Sequence, residues 1–302
     1  MTRLRLATRG SRLALAQSEL VAAALRDRHP GIEIELVRVR TEGDIDRSSP
    51  LTEIGGRGVF VRAVEQALLD GRAEIAVHSL KDVPTAAIEE LTLAAILPRG
   101  DARDVLVASG GRRLADLPSG ARVGSGSRRR ALLLRALRPD IEVAPIRGNV
   151  DTRLGKVESG EYDAVVLAAA GLARLGRLGE ATQLFEPMEF LPSPGQGALA
   201  VQCRSDDAAT RDLLAGIDDT ATRAAVEAER GVLAELGSGC SVPVGAYAQI
   251  TDGLLALRAM IGDETGEQAS FGDAAGPADE AEALGRGLAA QLGVGAPEGG
   301  AQ

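Results

Sequence analysis

Leu4-Arg5-Leu6-Ala7-Thr8 alternates apolar and polar residues like a short strand. Arg9-Gly10-Ser11 follows, and then Leu13, Ala16, Leu20, Ala24 and Leu25 recur at helical spacing until His29-Pro30-Gly31. Strand, polar turn and helix in that order form a βα unit. The order repeats downstream: Ile32–Val39 has strand composition, Gly58–Asp70 is helical and Glu74–His78 is another short strand. A mainly parallel sheet is therefore expected. The pattern restarts after Pro98-Arg99-Gly100-Asp101. Strands are expected near Asp104–Ala108, Arg122–Gly124, Glu142–Ile146 and Asp163–Ala168, alternating with helices at Arg128–Leu137, Val150–Ser159 and Ala170–Leu175. Leu199-Ala200-Val201-Gln202-Cys203 reads as a strand returning to the first domain. From about Thr220 a helix, a loop around Cys240, strands near Val244–Ile250 and Leu254–Ile261, and a helix near Asp279–Leu292 make a small α+β unit. The expected organisation is α/β, with residues 1–98 and 198–216 in one domain, 99–197 in a second and 217–302 in a small third.

Composition narrows the function. At 302 residues the chain has room for two or three cores. Its net charge of −9 and its 2% aromatic content argue against nucleic acid as a partner. No long apolar run is present, so no membrane partner is expected and the reading places the chain in the cytoplasm. Two cysteines cannot frame disulfides, and His29 and His78 alone offer no metal cluster. Lys81 and Lys156 are the only lysines among 34 basic residues. Genomic base composition explains most of that arginine excess but not its placement.

The placement is informative. In Val123-Gly124-Ser125-Gly126-Ser127-Arg128-Arg129-Arg130 a strand passes through a Gly/Ser loop into a helix, and Arg147-Gly148-Asn149-Val150-Asp151-Thr152-Arg153 repeats the arrangement. Arg9 and Ser11 make a third copy. Free N–H groups at a helix start attract anions, and hydroxyls add donors. Arginine there opposes the macrodipole, so repeated placement implies an anion. Ala76-Val77-His78-Ser79-Leu80-Lys81-Asp82-Val83-Pro84 brings Ser79, Lys81 and Asp82 to the carboxyl end of a strand, where open α/β sheets bind ligands. Gly55-Gly56-Arg57-Gly58-Val59-Phe60 reads equally well as a lid or a plain turn, and Leu191–Ala198 as a hinge or a linker. In Gly237-Ser238-Gly239-Cys240-Ser241-Val242-Pro243-Val244-Gly245 small neighbours leave one thiol uncovered. This loop alone supports two readings, a covalent attachment point or a buried small apolar residue.

Taken together, in order along nearly the whole chain, Ala7–Ser11, Gly55–Phe60, His78–Pro84, Arg99–Val107, Gly124–Arg130, Arg147–Arg153, Gly160–Arg174, Pro192–Ala198 and the Cys240 loop resemble the porphobilinogen deaminase family. The resemblance implies two α/β domains like type II periplasmic binding proteins, plus a small C-terminal α+β domain carrying the cysteine. It implies a hydroxymethylbilane synthase, a transferase of tetrapyrrole and haem biosynthesis. Four porphobilinogen molecules would be joined head to tail onto a dipyrromethane cofactor held by Cys240 through a thioether, with release of ammonia. Asp82 would be the catalytic carboxylate. Ser79, Lys81, Asp82, Ser125, Ser127, Arg129, Arg130 and Arg147 would hold the cofactor. Arg9, Ser11, Arg57, Phe60, Arg153 and Arg174 would bind porphobilinogen and the growing polypyrrole, and a monomer is the working expectation. Departures from the family pattern are Arg57 for Lys, Val59 for Leu, and the run Ser125-Gly126-Ser127-Arg128, which leaves the role of Arg128 open.

Two alternatives remain at this stage. One is a two-lobed anion-binding protein, which would explain the arginine loops and the hinge but not Cys240 with Asp82. The other is an inactive deaminase homologue.

Overall fold

The computed structural model describes residues 3–39, 59–237 and 242–293, with the side chains of Val59 and Phe60 excepted. Cys240 and Arg57, and the Phe60 side chain, thus lie outside the described residues. The chain forms two compact units: Met1–Gly100 with Ala173–Gly176 and Gly197–Arg223, and Asp101–Leu172 with Arg177–Gln196 and Ala224–Gln302.

The first unit is built on a five-stranded sheet in the order β2-β1-β3-β10-β4. Its strands are β1 (Arg3–Arg9), β2 (Glu33–Val39), β3 (Ile75–Ser79), β4 (Leu91–Ile96) and β10 (Leu199–Arg204). β1 pairs in parallel with β2 and β3, whereas β10 runs antiparallel to both its neighbours. Alternation along β1 divides the core. Leu4 and Leu6 pack with Val21 and Leu25 of helix α1 (Arg12–Arg28), while Ala7 packs with Val64, Ala67 and Leu68 of helix α2 (Val59–Leu69). Ser11 caps α1 by accepting from the Ala14 amide, and Gly31 at φ +88 turns the chain out of it.

The second unit contains a sheet in the order β7-β6-β8-β5-β9, formed by β5 (Asp104–Ala108), β6 (Arg122–Gly124), β7 (Glu142–Ala144), β8 (Ala164–Ala168) and β9 (Gln183–Leu184). Its antiparallel member is β5. Both sheets therefore share one topology, and in each the antiparallel strand is the first one reached after the chain crosses from the other unit. Helices α3 (Arg128–Leu137), α4 (Val150–Glu158) and α5 (Ala169–Arg174) fall close to their expected positions.

A three-stranded antiparallel sheet, β11 (Val244–Thr251), β12 (Leu254–Gly262) and β13 (Ala269–Pro277), completes this unit. After α6 (Ala208–Ala215) of the first unit come α7 (Thr220–Glu235) and α8 (Ala281–Gly293), whose apolar faces cover the small sheet. The two helices approach closely at two glycines: a Cβ on Gly285 would lie 2.0 Å from the Ala228 carbonyl oxygen, and one on Gly231 would lie 2.5 Å from that of Glu282. Among the described residues no helix is long and apolar enough to cross a membrane.

Candidate functional site

In the first unit the site is mounted on β3. Beyond Ser79 the chain makes a 3-10 turn, Leu80–Asp82. Leu80 is fully buried and its amide donates to the Ala198 carbonyl at 3.1 Å, so the turn is fastened to the start of β10. The two residues before it are pinned from opposite faces of the sheet. Gln17 Nε2 of α1 donates to Ser79 Oγ at 2.8 Å. On the α2 side His78 Nε2 lies 3.0 Å from Gln202 Oε1, and Gln202 Nε2 donates to Glu65 Oε1 at 3.1 Å. That chain of bonds requires the Nε2–H tautomer of His78. Burial, only partly opposed by the Gln202 bond, pushes the imidazole pKa down to about 4, so His78 is neutral. Asp82 itself is exposed, and its carboxylate accepts no hydrogen bond among the described residues. A rigid stem thus presents an open carboxylate.

Arg9 ends β1 and is half-buried, as are Lys81 and Arg147. Arg174 donates through Nη2 to the Gly197 carbonyl at 2.5 Å. Burial lowers its pKa to about 10.

The second unit carries the other arginines. Arg129 and Arg130 occupy the first turn of α3 but do not project as free forks, since they are only 4% and 7% exposed. Arg129 Nη2 donates to Asp104 Oδ2 at 2.6 Å, and Arg130 Nη2 to Asp104 Oδ1 at 2.7 Å. Their Nη1 atoms donate to the Leu191 and Val166 carbonyls at 2.5 and 3.0 Å. Gln196 Nε2 adds a third donor to Asp104, at 2.8 Å. Burial would raise the Asp104 pKa, but the charges of Arg129 and Arg130 and their hydrogen bonds override it and hold the carboxyl well below the usual carboxylate range.

Arg153, one turn into α4, has no such counter-ion. Its Nε donates to the Gly148 carbonyl at 2.9 Å, and no carboxylate among the described residues pairs with it. Burial, and then the neighbouring charge of Arg130, lower its pKa to about 10. Gly148 is required there: at φ +107 its Cβ would meet the Thr152 side chain at 2.6 Å. Asn149 caps α4 by accepting from the Thr152 amide.

The site serines share one polarity. Ser11 Oγ accepts from the Ala14 amide, Ser79 Oγ from Gln17, Ser125 Oγ from the Ser127 amide at 3.2 Å and Ser127 Oγ from the Arg130 amide at 3.4 Å. Among the described residues none of these hydroxyls donates, so each keeps its O–H proton for an acceptor. On each unit, hydroxyl protons with no acceptor among the described residues suit carboxylates.

Arg128 turns away from this cluster and donates to the Glu264 carbonyl in the turn between β12 and β13. Residues just after Cys240 are tied to the same helix. The Gly262 amide donates to the Pro243 carbonyl at 2.7 Å, and a Cβ on Gly262 would come 2.9 Å from both Leu132 of α3 and Pro243. One on Gly245 would lie 3.3 Å from Arg129 Cδ. Cys203, in contrast, is fully buried in β10, and burial followed by the charge of Asp207 pushes its thiol up to about 11.

Sequence reasoning missed Asp104, Gln196, Gln17, Glu65 and Gln202. Asp104 did carry a signal, being the charge at the head of an otherwise apolar strand. The amides carried none, because their partners are distant in sequence.

Residues 4–212 match the family model described as "Porphobilinogen deaminase, dipyromethane cofactor binding domain", and residues 223–293 match "Porphobilinogen deaminase, C-terminal domain". The porphobilinogen deaminase of Acidothermus cellulolyticus is 53% identical over 293 residues, covering 96% of this chain and 88% of that protein. That of Xanthomonas axonopodis pv. citri is 51% identical over 294 residues, covering 97% and 96%. Among solved structures, the methionine-binding protein MetQ superposes with a TM-score of 0.47 at 10% identity, covering 71% of this chain and 89% of MetQ.

Proposed function

Because the chain belongs to the porphobilinogen deaminase family, we propose that it condenses porphobilinogen head to tail onto a dipyrromethane bound through Cys240, with Asp82 as the catalytic carboxylate. The observation that carries this reading is the charge balance around α3. Among the described residues Arg129 and Arg130 share the carboxylate of Asp104, and Arg153 pairs with none. Such a site is incomplete without anions, and each pyrrole ring of the substrate carries two carboxylates. The dipyrromethane supplies the pyrrole carbon to which the first substrate is joined.

The chain's own residues do the rest. Arg129, Arg130, Arg147 and Arg153 hold carboxylate side chains, with Ser125 and Ser127 donating hydroxyl protons beside them. Arg9, Ser11, Ser79, Lys81 and Arg174 do the same on the first unit, and Arg57 and Phe60 contribute from the Gly55–Phe60 stretch. Loss of ammonia from porphobilinogen leaves an electron-poor carbon. Asp82, open and on a rigid turn, stabilises the positive charge that develops at a pyrrole nitrogen and moves the proton released when the new bond forms. A division into three domains, with Cys240 on a small C-terminal one, belongs to this proposal, as does a monomer working in the cytoplasm.

Intact mass and peptide mapping of the purified protein test the assignment. The chain should be heavier than its sequence by one dipyrromethane, located on Cys240. An unmodified Cys240 in active protein, or an adduct on Cys203, overturns it. Binding of porphobilinogen with neither adduct nor ammonia release would support an anion-binding protein instead.

A further inference from the structure

Asp104 is the single charged residue of β5 and is 0% exposed. A lone carboxylate at such a place is costly, and so are two adjacent buried guanidiniums; here each offsets the other. The carboxylate receives Arg129, Arg130 and Gln196, and a second bond ties each arginine to a carbonyl, Leu191 for Arg129 and Val166 for Arg130. Two fixed points set the plane of a rigid fork. Gln196 Nε2 also donates to the Ala102 carbonyl at 2.8 Å, so the carboxylate is itself anchored. Arg153 lies close enough to Arg130 to feel its charge. With Asp104 ionised, Arg129 and Arg130 share one carboxylate, while Arg153 pairs with none among the described residues.

We propose that Asp104 is a positioning residue for the polycarboxylate ligand: a built-in anion that orients Arg129 and Arg130 before the ligand arrives and offsets part of their charge. The proposal rests on the reading that these arginines hold ligand carboxylates. It does not follow from a structural role alone, because a carboxylate serving only to stabilise the fold would affect loading no further than it affects the folded fraction.

Asp104→Asn keeps the shape and removes the charge. Two measurements on the full-length chain test its role. The first is the rate at which porphobilinogen converts cofactor-free chain to the adduct, followed by intact mass and normalised to the folded fraction. Loading should slow about 10- to 100-fold, the range found when a partner that orients a ligating group is removed. The second uses Cys240→Ala chains, which cannot be loaded, and measures the rise in Tm on adding citrate as a polycarboxylate probe. Asp104→Asn carries one more uncompensated cation and should gain more from citrate than the chain with Asp104. Wild-type loading by Asp104→Asn, or an unchanged citrate response, overturns the proposal. If Asp104→Asn does not fold, Asp104→Glu retains the charge but displaces it by a methylene. It should show the ordinary citrate response and slowed loading, and wild-type loading by it would again overturn the proposal. Arg130→Gln separates the two levels of the argument. Should it load at the wild-type rate, the reading of the site itself fails. Should it load slowly while Asp104→Asn loads normally, that reading stands and the role of Asp104 falls.

Discussion

Replacing His78 by Gln should make the fold less sensitive to acid. In the unfolded chain an imidazole protonates near 6.5, whereas burial in the folded protein pushes His78 down to about 4. Between those values the unfolded state binds a proton that the folded state refuses. Stability therefore rises with pH across this window, is complete above 6.5 and is lost as pH falls toward 4. At about 1.4 kcal/mol for each pH unit the full difference is ~3 kcal/mol, of which ~2 kcal/mol is lost by pH 5. That is a large share of the roughly 5–15 kcal/mol that holds a domain together. A Gln at position 78 offers an N–H to the same Gln202 oxygen and has nothing to titrate. Urea unfolding of both proteins at pH 7.5 and pH 5, followed by far-UV circular dichroism, isolates the effect, because other groups contribute equally to both. The wild type should lose ~2 kcal/mol more than His78→Gln on acidification. Equal losses would show that His78 is not the group excluding the proton, and the buried Glu65–Gln202–His78 chain could no longer be taken as the rigid support beneath Asp82.

Asp82→Ala should lower turnover by ~10²–10⁴-fold, the usual worth of general acid–base help. Its Tm and the Cys240 adduct should survive, since the exposed carboxylate bonds to nothing described in the fold. Asp82→Glu should keep part of the activity; a wild-type rate in Asp82→Ala, measured by product formation, refutes the role. KM for porphobilinogen should rise with ionic strength, though less steeply than exposed arginines would give, because Arg129 and Arg130 are buried and screened little. Arg153 and Arg174, half-buried and without carboxylate partners among the described residues, should carry most of the response. Arg153→Gln should flatten the salt dependence. A KM constant up to high salt would assign the grip to hydroxyls and backbone amides instead.

The α/β architecture was legible because each βα unit announces itself locally, by an apolar run, a polar turn and a helical repeat. Elements formed by tertiary context were not. β13 reads Ala269-Ser270-Phe271-Gly272-Asp273-Ala274-Ala275-Gly276-Pro277, poor in strand formers, yet it pairs with β12 along its whole length. Its glycines make room for α8: a Cβ on Gly272 would sit 3.0 Å from both Leu288 and Leu292. β4 and β9 went unread for other reasons: one is a six-residue apolar run whose periodicity does not separate strand from buried helix, and the other is only two residues long. Among the candidate site residues the serines, arginines and Asp82 could be found from local pattern. The polarity of each hydroxyl, and the difference between a paired and an unpaired arginine, depend on partners far along the chain.

The arginines on the first turn of α3 show where local reading stops. Cations at a helix start oppose the macrodipole and must be offset by an anion. One such anion is Asp104, brought from β5, and the compensation is incomplete: it fixes Arg129 and Arg130, whereas Arg153 meets a carbonyl and no carboxylate among the described residues. Complete neutralisation would give a more stable fold with nothing left to offer a ligand. No internal anion would leave mutually repelling guanidiniums whose planes a ligand would have to set at its own expense, losing affinity to their ordering. A single buried carboxylate among three arginines lies between these limits, so the cluster is rigid before the ligand binds and still short of negative charge.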